Sequence, residues 1–444
     1  MFSRLRRFSH KHSFLLFGPR GTGKSTLLKE RFDQKKCLWL DLLDSHVEER
    51  FLHNPSELYA IVKALHGEVT YVVIDEIQKV PKLLDEVHRL IEETDKIFIL
   101  TGSSGLSRKF LSVVRVDLSL ISKCGGRRQL CKVVEDEHED RGKETPKYCQ
   151  EFSRKTTRAR KLKHGGANLL AGRAFVYHLH PLSCFELGKQ FDLEKALHWG
   201  TLPKIFSLDS DAEKSELLRS YADTYLKEEI WSEQVVRKLQ PFRRFLEVAA
   251  QCNGKIINYA NIARDVGVDD KTIKEYFCIL EDTMIGFFLE SFHNSYRKRL
   301  VQKPKFYFFD PGVVRSLTRR LSVPLTSKTS AYGEAFEHFI LLEFLRQGSY
   351  FQPDYRFSFV RTAGDVEVDL VVERPAKRSL YIEIKSSDTV NDRDISSFHR
   401  FTKDISNCEA IVLSQDRFMK KFDHVTCYPW KQGIVEYFPE LTSI

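Results

Sequence analysis

The sequence predicts an α/β protein in which a parallel sheet comes first and further domains follow. Short, continuous apolar runs such as those at 14–17 and 71–74 are typical of parallel strands that are buried on both faces. Amphipathic segments with apolar residues at helical spacing separate these runs. A chain of 444 residues has room for about three domains.

The composition is that of an ordinary globular protein. A net charge of +9 permits a polyanionic partner but does not require one. Nine cysteines without a Cys-x-x-Cys pair favour reduced thiols over disulfides or a zinc site. No apolar run approaches the roughly 18 residues that cross a bilayer, and the one after the basic N-terminus is too short for a signal peptide. We therefore expect a cytoplasmic protein without a membrane partner.

The first apolar run leads into a glycine-rich loop and then a helix, and together they satisfy the pattern G-x-x-x-x-G-K-[ST]. Glycines let successive backbone N–H groups face an anion, and a helix N-terminus favours phosphate. In this pattern Lys24 reaches the β- and γ-phosphates, and the Ser25 hydroxyl binds Mg²⁺. The predicted nucleotide-binding loop consists of Gly18, Pro19, Arg20, Gly21, Thr22, Gly23, Lys24, Ser25 and Thr26.

The apolar run at 71–74 ends in two acids. Ligands of α/β sheets lie beyond the carboxyl ends of the strands. Asp75 is therefore predicted to hold Mg²⁺, and Glu76 to orient and polarise the attacking water. After the next strand, Thr101 or Ser103 is a candidate to sense the γ-phosphate or position the water. A hydroxyl that only caps the strand end is the alternative.

Three strings, Gly-Pro-Arg-x-Thr-Gly-Lys-Ser-Thr, Ile-Asp-Glu-Ile-Gln-Lys-Val-Pro and Leu-Thr-Gly-Ser-Ser, resemble a group of prokaryotic AAA+-type ATPases. In that group the C-terminal domain is similar to restriction endonucleases. The resemblance resumes at 159–163, 171–175 and 181–186 and runs to near the C-terminus. It implies an ASCE-type P-loop NTPase core, with an extra strand between the two motif-bearing strands, and ATP as the nucleotide. No residue pattern separates ATP from GTP.

Residues 105–158 interrupt the resemblance, because the segments on either side of them are nearly contiguous in the family. The stretch is highly charged and mostly lacks apolar periodicity, which predicts a poorly ordered insertion that loops out of the core. Its charges are interpreted as a solvated face, with nucleic-acid contact as the alternative. Since it leaves from the predicted active-site edge, it could also impair catalysis.

Arg173 precedes the apparent fifth strand, 174–178, and is a candidate to contact the γ-phosphate. The contact would be made in cis or from a neighbouring subunit of a homo-oligomer. A surface ion pair is the alternative.

A helical lid is predicted at 183–235, and three helices with a turn at Gly267 and a final strand suggest a winged helix. Lys271, Thr272 and Lys274 would face DNA in a major groove, although neighbouring acids weaken the field and such modules often pack against protein. A basic run that includes Lys305 favours non-specific phosphate contact; a solvated hairpin loop is the alternative.

The C-terminal strands resemble a restriction-endonuclease-like core, in which a helix Glu, a strand Asp and a Glu-x-Lys meet. The matching residues are Glu337, Asp369, Glu383 and Lys385. Two carboxylates can hold Mg²⁺ while the lysine activates the water that attacks a phosphodiester. An ordinary Glu383–Lys385 ion pair is the alternative, and Val368 stands where active nucleases often have proline.

The predicted domains are an ATPase core at 1–104 and 159–182, the insertion at 105–158, the lid at 183–235, a winged-helix-like domain at 236–325 and a nuclease-like domain at 326–444. The predicted function is a Mg²⁺-dependent AAA+-type ATPase, associated with DNA, that couples ATP binding or hydrolysis to the C-terminal module. The alternatives are a nucleotide-regulated Mg²⁺-dependent DNA endonuclease and a signalling switch that binds ATP without hydrolysing it.

Overall fold

The computed structural model of the protein describes residues 2–103, 170, 172–225, 239–293, 302–362 and 366–443. The predicted insertion at 105–158, the segment at 159–163 and the basic residues at 296–300 lie outside these ranges. The described residues form two sheets with a helical region between them in the chain.

The first sheet has five parallel strands, as the apolar runs predict. They are β1 (Phe14–Phe17), β2 (Cys37–Asp41), β3 (Tyr71–Asp75), β4 (Ile97–Gly102) and β5 (Phe175–His178), in the order β2-β3-β4-β1-β5. The extra strand expected between the two motif-bearing strands is β4, which lies between β1 and β3. The sheet is therefore a P-loop-like core.

Helices cover both faces of this sheet: α1 (Lys24–Arg31), α2 (Ser45–His53), α3 (Glu57–Lys63) and α4 (Leu83–Glu93). Because side chains alternate along a strand, Phe14 and Leu16 pack with α1, whereas Leu15 and Phe17 pack with α3 and α4. Burial on both faces is the physical reason that the inner strands β1, β3 and β4 read as continuous apolar runs.

The helical region comprises α5 (Cys184–Leu187), α6 (Leu193–Trp199), α7 (Asp211–Ser220), α8 (Leu239–Gln251), α9 (Tyr259–Val266), α10 (Asp270–Asp282) and α11 (Pro311–Leu317). Helices α6 to α11 share one hydrophobic core. The three helices predicted from spacing, α8 to α10, form where expected. Gly267 ends α9 at φ 80°, and the Asp269 carboxylate accepts the Thr272 N–H at the start of α10.

The second sheet is mixed and has eight strands: β6 (Gly286–Ser291), β7 (Lys305–Phe308), β8 (Arg356–Arg361), β9 (Glu367–Glu373), β10 (Ser379–Lys385), β11 (Cys408–Ser414), β12 (Lys420–Phe422) and β13 (Val425–Pro429). Their order is β12-β13-β11-β10-β9-β8-β6-β7. Helices α12 (Ser330–Phe351) and α14 (Trp430–Tyr437) pack on one face, and α13 (Ser396–Lys403) packs on the other.

The hairpin of β6 and β7 joins this second sheet, because Ser291 of β6 pairs with Phe359 of β8. One sheet therefore continues across residue 325, where the sequence suggested a domain boundary. Within the described ranges, no helix is long and apolar enough to cross a membrane.

Candidate nucleotide and carboxylate sites

The predicted nucleotide-binding loop connects β1 to α1 and takes a conformation that needs its glycines. Gly21 and Gly23 have φ of 82° and 88°, in the left-handed region. Gly18 is required for a different reason, since a Cβ there would lie 2.2 Å from the Leu179 carbonyl oxygen. Helix α1 begins at Lys24, so the loop presents its backbone N–H groups at a helix N-terminus.

Lys24 is buried within this loop. Its Nζ donates a hydrogen bond to the Gly18 carbonyl oxygen at 2.8 Å and lies 3.4 Å from that of Pro19. The ammonium group is therefore held inside the loop whose backbone N–H groups are predicted to bind phosphate.

The two predicted Mg²⁺ ligands are in direct contact. The Ser25 hydroxyl donates to Asp75 Oδ2 at 2.5 Å, and the Thr101 hydroxyl donates to the other oxygen of the same carboxylate. Asp75 is almost fully buried at the end of β3. A hydroxyl beside a carboxylate is a donor set that suits Mg²⁺, so these residues fit the metal.

Glu76 follows at φ 58°, a strained conformation for a residue with a side chain and one that often occurs at functional sites. Its backbone N–H donates to Thr101 Oγ1 at 3.1 Å. Its carboxylate accepts hydrogen bonds from Ser103 Oγ at 3.1 Å and from the Gln78 amide. The sequence left Thr101 and Ser103 as alternatives for one role. In the structure the Thr101 hydroxyl lies beside Asp75, and the Ser103 hydroxyl lies beside the Glu76 carboxylate.

Gln78 is a residue of this site that sequence reasoning missed. Its amide nitrogen donates to Glu76 and to Ser103 Oγ at 3.1 Å. Its amide oxygen is buried without a hydrogen-bond partner among the described residues. Its position two residues after the Asp75-Glu76 pair is the feature of the sequence that could have identified it.

Arg173 lies at the wrong end of the sheet for a γ-phosphate contact in cis. Phe175 of β5 pairs with Phe14 at the start of β1, so Arg173 lies beyond the amino ends of the strands, opposite the loop. Its guanidinium forms an ion pair with Glu92 on the surface. This position corrects the prediction of a cis contact; a contact from a neighbouring subunit stays a prediction.

The helical region after the first sheet and the N-terminal segment both contact the nucleotide-binding loop. The Tyr221 hydroxyl donates to the Arg20 carbonyl oxygen at 2.9 Å, and the Arg4 guanidinium donates to that of Thr22 at 3.1 Å. Leu202 and Pro203 lie against the loop, because a Cβ at Gly21 would be 3.8 Å from Leu202 and one at Gly23 would be 3.9 Å from Pro203.

The second predicted site lies on the eight-stranded sheet and on α12. Lys385 Nζ is 2.7 Å from Glu383 Oε1, and Asp369 Oδ2 accepts the Ile384 N–H at 2.7 Å. Burial raises the pKa of the Asp369 carboxyl well above its usual range, and the nearby Glu337 and Glu383 carboxylates raise it further. The structure therefore brings all four predicted residues together. The Glu383–Lys385 ion pair given as the alternative is also present.

Three further residues complete this carboxylate cluster. Lys305 Nζ lies 2.5 Å from Glu367 Oε1 and 3.8 Å from Glu337 Oε1, and the Tyr307 hydroxyl donates to Glu337 at 2.8 Å. The sequence predicted that the basic run containing Lys305 contacts phosphate; Lys305 is instead 2% exposed and paired with acids. Lys305 and Tyr307 point the same way because they are two residues apart on one strand.

The carboxylate cluster offers oxygen ligands, but no three of its acids bring ligand atoms within 4.8 Å of one another, as His399, Asp423 and His424 do among the described residues. Glu383 Oε2 is buried and has no hydrogen-bond partner among the described residues. Burial raises the pKa of the Glu383 carboxyl, as it does that of Asp369, and the Glu337 carboxylate raises both further. Oxygen ligands of this kind are those that Mg²⁺ and Mn²⁺ prefer.

Two other groups of residues are candidate sites: the α10 residues predicted to face DNA and a set of three possible metal ligands. On α10, Lys271 is exposed, Lys274 lies 3.9 Å from Asp270, and the Thr272 hydroxyl donates to Asp269. His399, Asp423 and His424 place three ligand atoms within 4.8 Å of one another. Asp423 is largely exposed and lies beside both imidazoles, an arrangement typical of surface ion pairs, so we assign it no cofactor.

Comparison with family models identifies the first of these sites as part of a known domain. Residues 10–112 match the model of an AAA domain. Residues 190–323 and 332–432 match two models described as domains of unknown function, DUF8612 and DUF4143. Residues near the N-terminus thus match a class of domain that typically binds ATP with Mg²⁺, and the other two matches are to domains of unknown function.

Individual relatives are distant. The chain is 27% identical over 223 residues to the uncharacterized proteins Rv2008c of Mycobacterium tuberculosis and Mb2031c of Mycobacterium bovis, covering 50% of this chain and 48% of each of them. It is 21% identical over 237 residues to the uncharacterized protein MJ1544 of Methanocaldococcus jannaschii, covering 51% of both. The chain therefore spans about half the length of these relatives.

Among solved structures, Can2 from Sulfobacillus thermosulfidooxidans in complex with cyclic tetra-adenylate aligns over 97% of this chain and 98% of that one. The TM-score is 0.19 and the identity 10%, values too low to support an argument about fold or function.

Proposed function

We propose that this protein is a Mg²⁺-dependent ATPase of the AAA+ type. The observation that carries the proposal is the 2.5 Å contact between Ser25 Oγ and Asp75 Oδ2, which joins the nucleotide-binding loop to the acid at the end of β3. The AAA match over residues 10–112 supports the same assignment.

In this proposal the N–H groups of residues 18–26 bind the phosphates, and Lys24 turns from the Gly18 carbonyl to the β- and γ-phosphates. Ser25 and Asp75 would hold Mg²⁺, which would supply positive charge to neutralise the phosphates. Glu76 accepts the proton of the attacking water, while Ser103 and Gln78 hold its carboxylate in place.

The lid and the C-terminal unit are arranged to respond to the nucleotide. Leu202 and Pro203 lie against the loop, and the preceding Thr201 N–H donates to the buried Asp310 carboxylate at 2.7 Å. Asp310 lies two residues beyond the end of β7, the strand that carries Lys305 and Tyr307. We infer that lid movement on ATP binding reaches the carboxylate cluster by this route, which would couple the two units.

Replacing Asp75 with asparagine tests the metal assignment. We expect ATP turnover by the full-length protein to fall about 10²-fold and to lose its Mg²⁺ dependence, because an amide cannot replace the carboxylate charge. Asp41→Asn is the matched control, since Asp41 pairs with Asp75 in register across β2 and β3 but accepts from the Leu43 N–H. Equal Mg²⁺ titration curves for the two variants would contradict the assignment.

A second candidate function is metal-dependent cleavage of a phosphodiester at the carboxylate cluster. The buried, unpartnered Glu383 Oε2, with Asp369 and Lys385 beside it, favours this candidate. DNA is the substrate class that we propose, with the three-helix region of α8 to α10 as a winged-helix-like module that contacts the phosphate backbone non-specifically.

Nicking of a supercoiled plasmid in Mn²⁺ tests this candidate. We expect activity that is lost in Asp369→Asn and in Lys385→Ala, because the first removes a metal ligand and the second removes the group that activates water. Lys377→Ala is the control, since Lys377 is an exposed lysine that precedes β10. Persistence of the same nicking in both site variants would mean that the activity comes from elsewhere.

A further inference from the structure

Arg315 differs from the other arginines that are buried in the described part of the chain. Arg4, Arg346 and Arg374 are each 9% exposed or less, and each of them pairs with a glutamate. Arg315 is 8% exposed, yet no described carboxylate pairs with it. Because a buried charge is costly unless an opposite charge accompanies it, this guanidinium calls for an anion that the described residues do not supply.

The hydrogen bonds of the Arg315 guanidinium go to neutral groups. Nη2 donates to the Arg320 carbonyl oxygen at 2.6 Å and to that of Val323. Nε is buried and has no hydrogen-bond partner among the residues that the structure describes. Burial lowers the pKa of Arg315 to about 10, and the nearby Arg320 cation acts in the same direction. The group still carries its positive charge at neutral pH.

Arg315 lines a cavity of about 270 Å³ between α8, α11 and α12, and two further cations line it with Arg315. These are Lys255 and Arg320, which are both exposed. A single carboxylate, that of Glu334, belongs to the lining, with one oxygen 3.5 Å from Lys255 Nζ. His338 is neutral, because burial lowers its pKa to about 4. Three cations and one carboxylate leave the cavity with a net charge of +2.

Apolar side chains form part of the cavity wall, among them Leu197, Val314 and Leu325. Sites for small molecules commonly combine such a wall with a few charged groups that orient the ligand, and this volume is close to the lower end of their usual range. Hydrogen bonds to two backbone carbonyls could by themselves explain why an arginine stands at position 315. They do not explain why Lys255 and Arg320 line the same cavity.

We propose that this cavity binds a small dianion, a phosphate monoester or a dicarboxylate, with the charged group of the ligand on Arg315. Two negative charges would balance the net charge of the cavity, and guanidinium groups commonly bind phosphate and carboxylate in proteins. Arg315 lies within the match to one domain of unknown function, at 190–323, and Glu334 lies within the match to the other, at 332–432. The ligand would therefore contact both. The cavity shares no residue with the nucleotide-binding loop.

Equilibrium dialysis of the full chain against radiolabelled phosphate and, separately, radiolabelled succinate tests the proposal at mildly alkaline pH, where both probes are dianions. The chain carries Lys24→Ala throughout, so that the nucleotide-binding loop contributes little affinity for phosphate. We expect saturable binding of at least one probe and an affinity at least about 10-fold lower in Arg315→Met, because a charged hydrogen-bond donor leaves the site. Tighter binding of phosphate would identify the ligand as a phosphate monoester, and tighter binding of succinate as a dicarboxylate.

Arg319→Met is the matched control, because Arg319 is an exposed arginine close in sequence that pairs with Glu247 and does not line this cavity. Its affinity for both probes should equal that of the parent. If Arg315→Met lacks a cooperative thermal transition, Lys255→Met takes its place and should bind the probe severalfold more weakly, since an exposed lysine can be replaced without disturbing the core. Equal affinity in the parent and in a folded Arg315 or Lys255 variant would overturn the proposal, as would a parent that binds neither probe.

Discussion

Replacing Lys24 with alanine is expected to abolish ATP hydrolysis and to weaken ATP binding severely. Lys24 is the cation inside the nucleotide-binding loop, with its Nζ 2.8 Å from the Gly18 carbonyl oxygen. Without it the β- and γ-phosphates lose their protein-borne positive charge in a buried place, where such interactions are strongest. We expect turnover to fall by about 10³-fold, the upper end of the loss seen when one stabilising donor is removed from an active site.

Lys29→Ala provides the control for this prediction. Lys29 lies on the same helix, α1, but is exposed, with its ammonium near the ring of Trp39 rather than in the loop. Titration with a fluorescent ATP analogue and a phosphate-release assay, run on both variants, separate binding from turnover. Thermal unfolding verifies that the alanine at position 24 leaves the fold intact. Wild-type turnover by Lys24→Ala would contradict the assignment of the loop.

The parallel sheet could be predicted because its signals are local. Each strand buried on both faces is a continuous apolar run, and the loop after β1 has glycines where the backbone takes positive φ. The contact between Ser25 and Asp75 followed from the same reasoning, since the carboxyl ends of parallel strands meet at one edge. Motif spacing and strand direction together were enough to predict that Ser25 and Asp75 lie side by side.

The position of Arg173 could have been corrected by that same rule. A residue that precedes a parallel strand lies at the amino edge of the sheet, whereas the nucleotide-binding loop lies at the carboxyl edge. At the amino edge of the sheet Arg173 forms an ion pair with Glu92.

The burial of Lys305 could not be predicted from its neighbours in the sequence. A basic run is usually solvated, and a buried lysine needs acidic partners that only the tertiary structure brings to it. Those partners, Glu337 and Glu367, come from α12 and β9, and they meet Lys305 because the β6–β7 hairpin joins the second sheet. Pairing between strands distant in the chain carries no local signal.

Glu76→Gln is expected to separate ATP binding from ATP hydrolysis. The substitution keeps the length of the side chain and its place beside Ser103 and Gln78, but an amide is too weak a base to take a proton from water. ATP affinity should stay within a few-fold of wild type, while single-turnover hydrolysis should fall by roughly 10² to 10⁴. Glu92→Gln, an exposed acid that pairs with Arg173 away from the loop, should hydrolyse ATP as wild type does.

The same experiment distinguishes an ATPase from a switch that binds ATP without hydrolysing it. In an ATPase, wild type releases phosphate continuously and only Glu76→Gln retains intact ATP after gel filtration. In a switch, wild type and Glu76→Gln retain ATP alike, because the carboxylate is not used. The hydrogen bonds from Ser103 and Gln78 that hold the Glu76 carboxylate in place favour the first outcome.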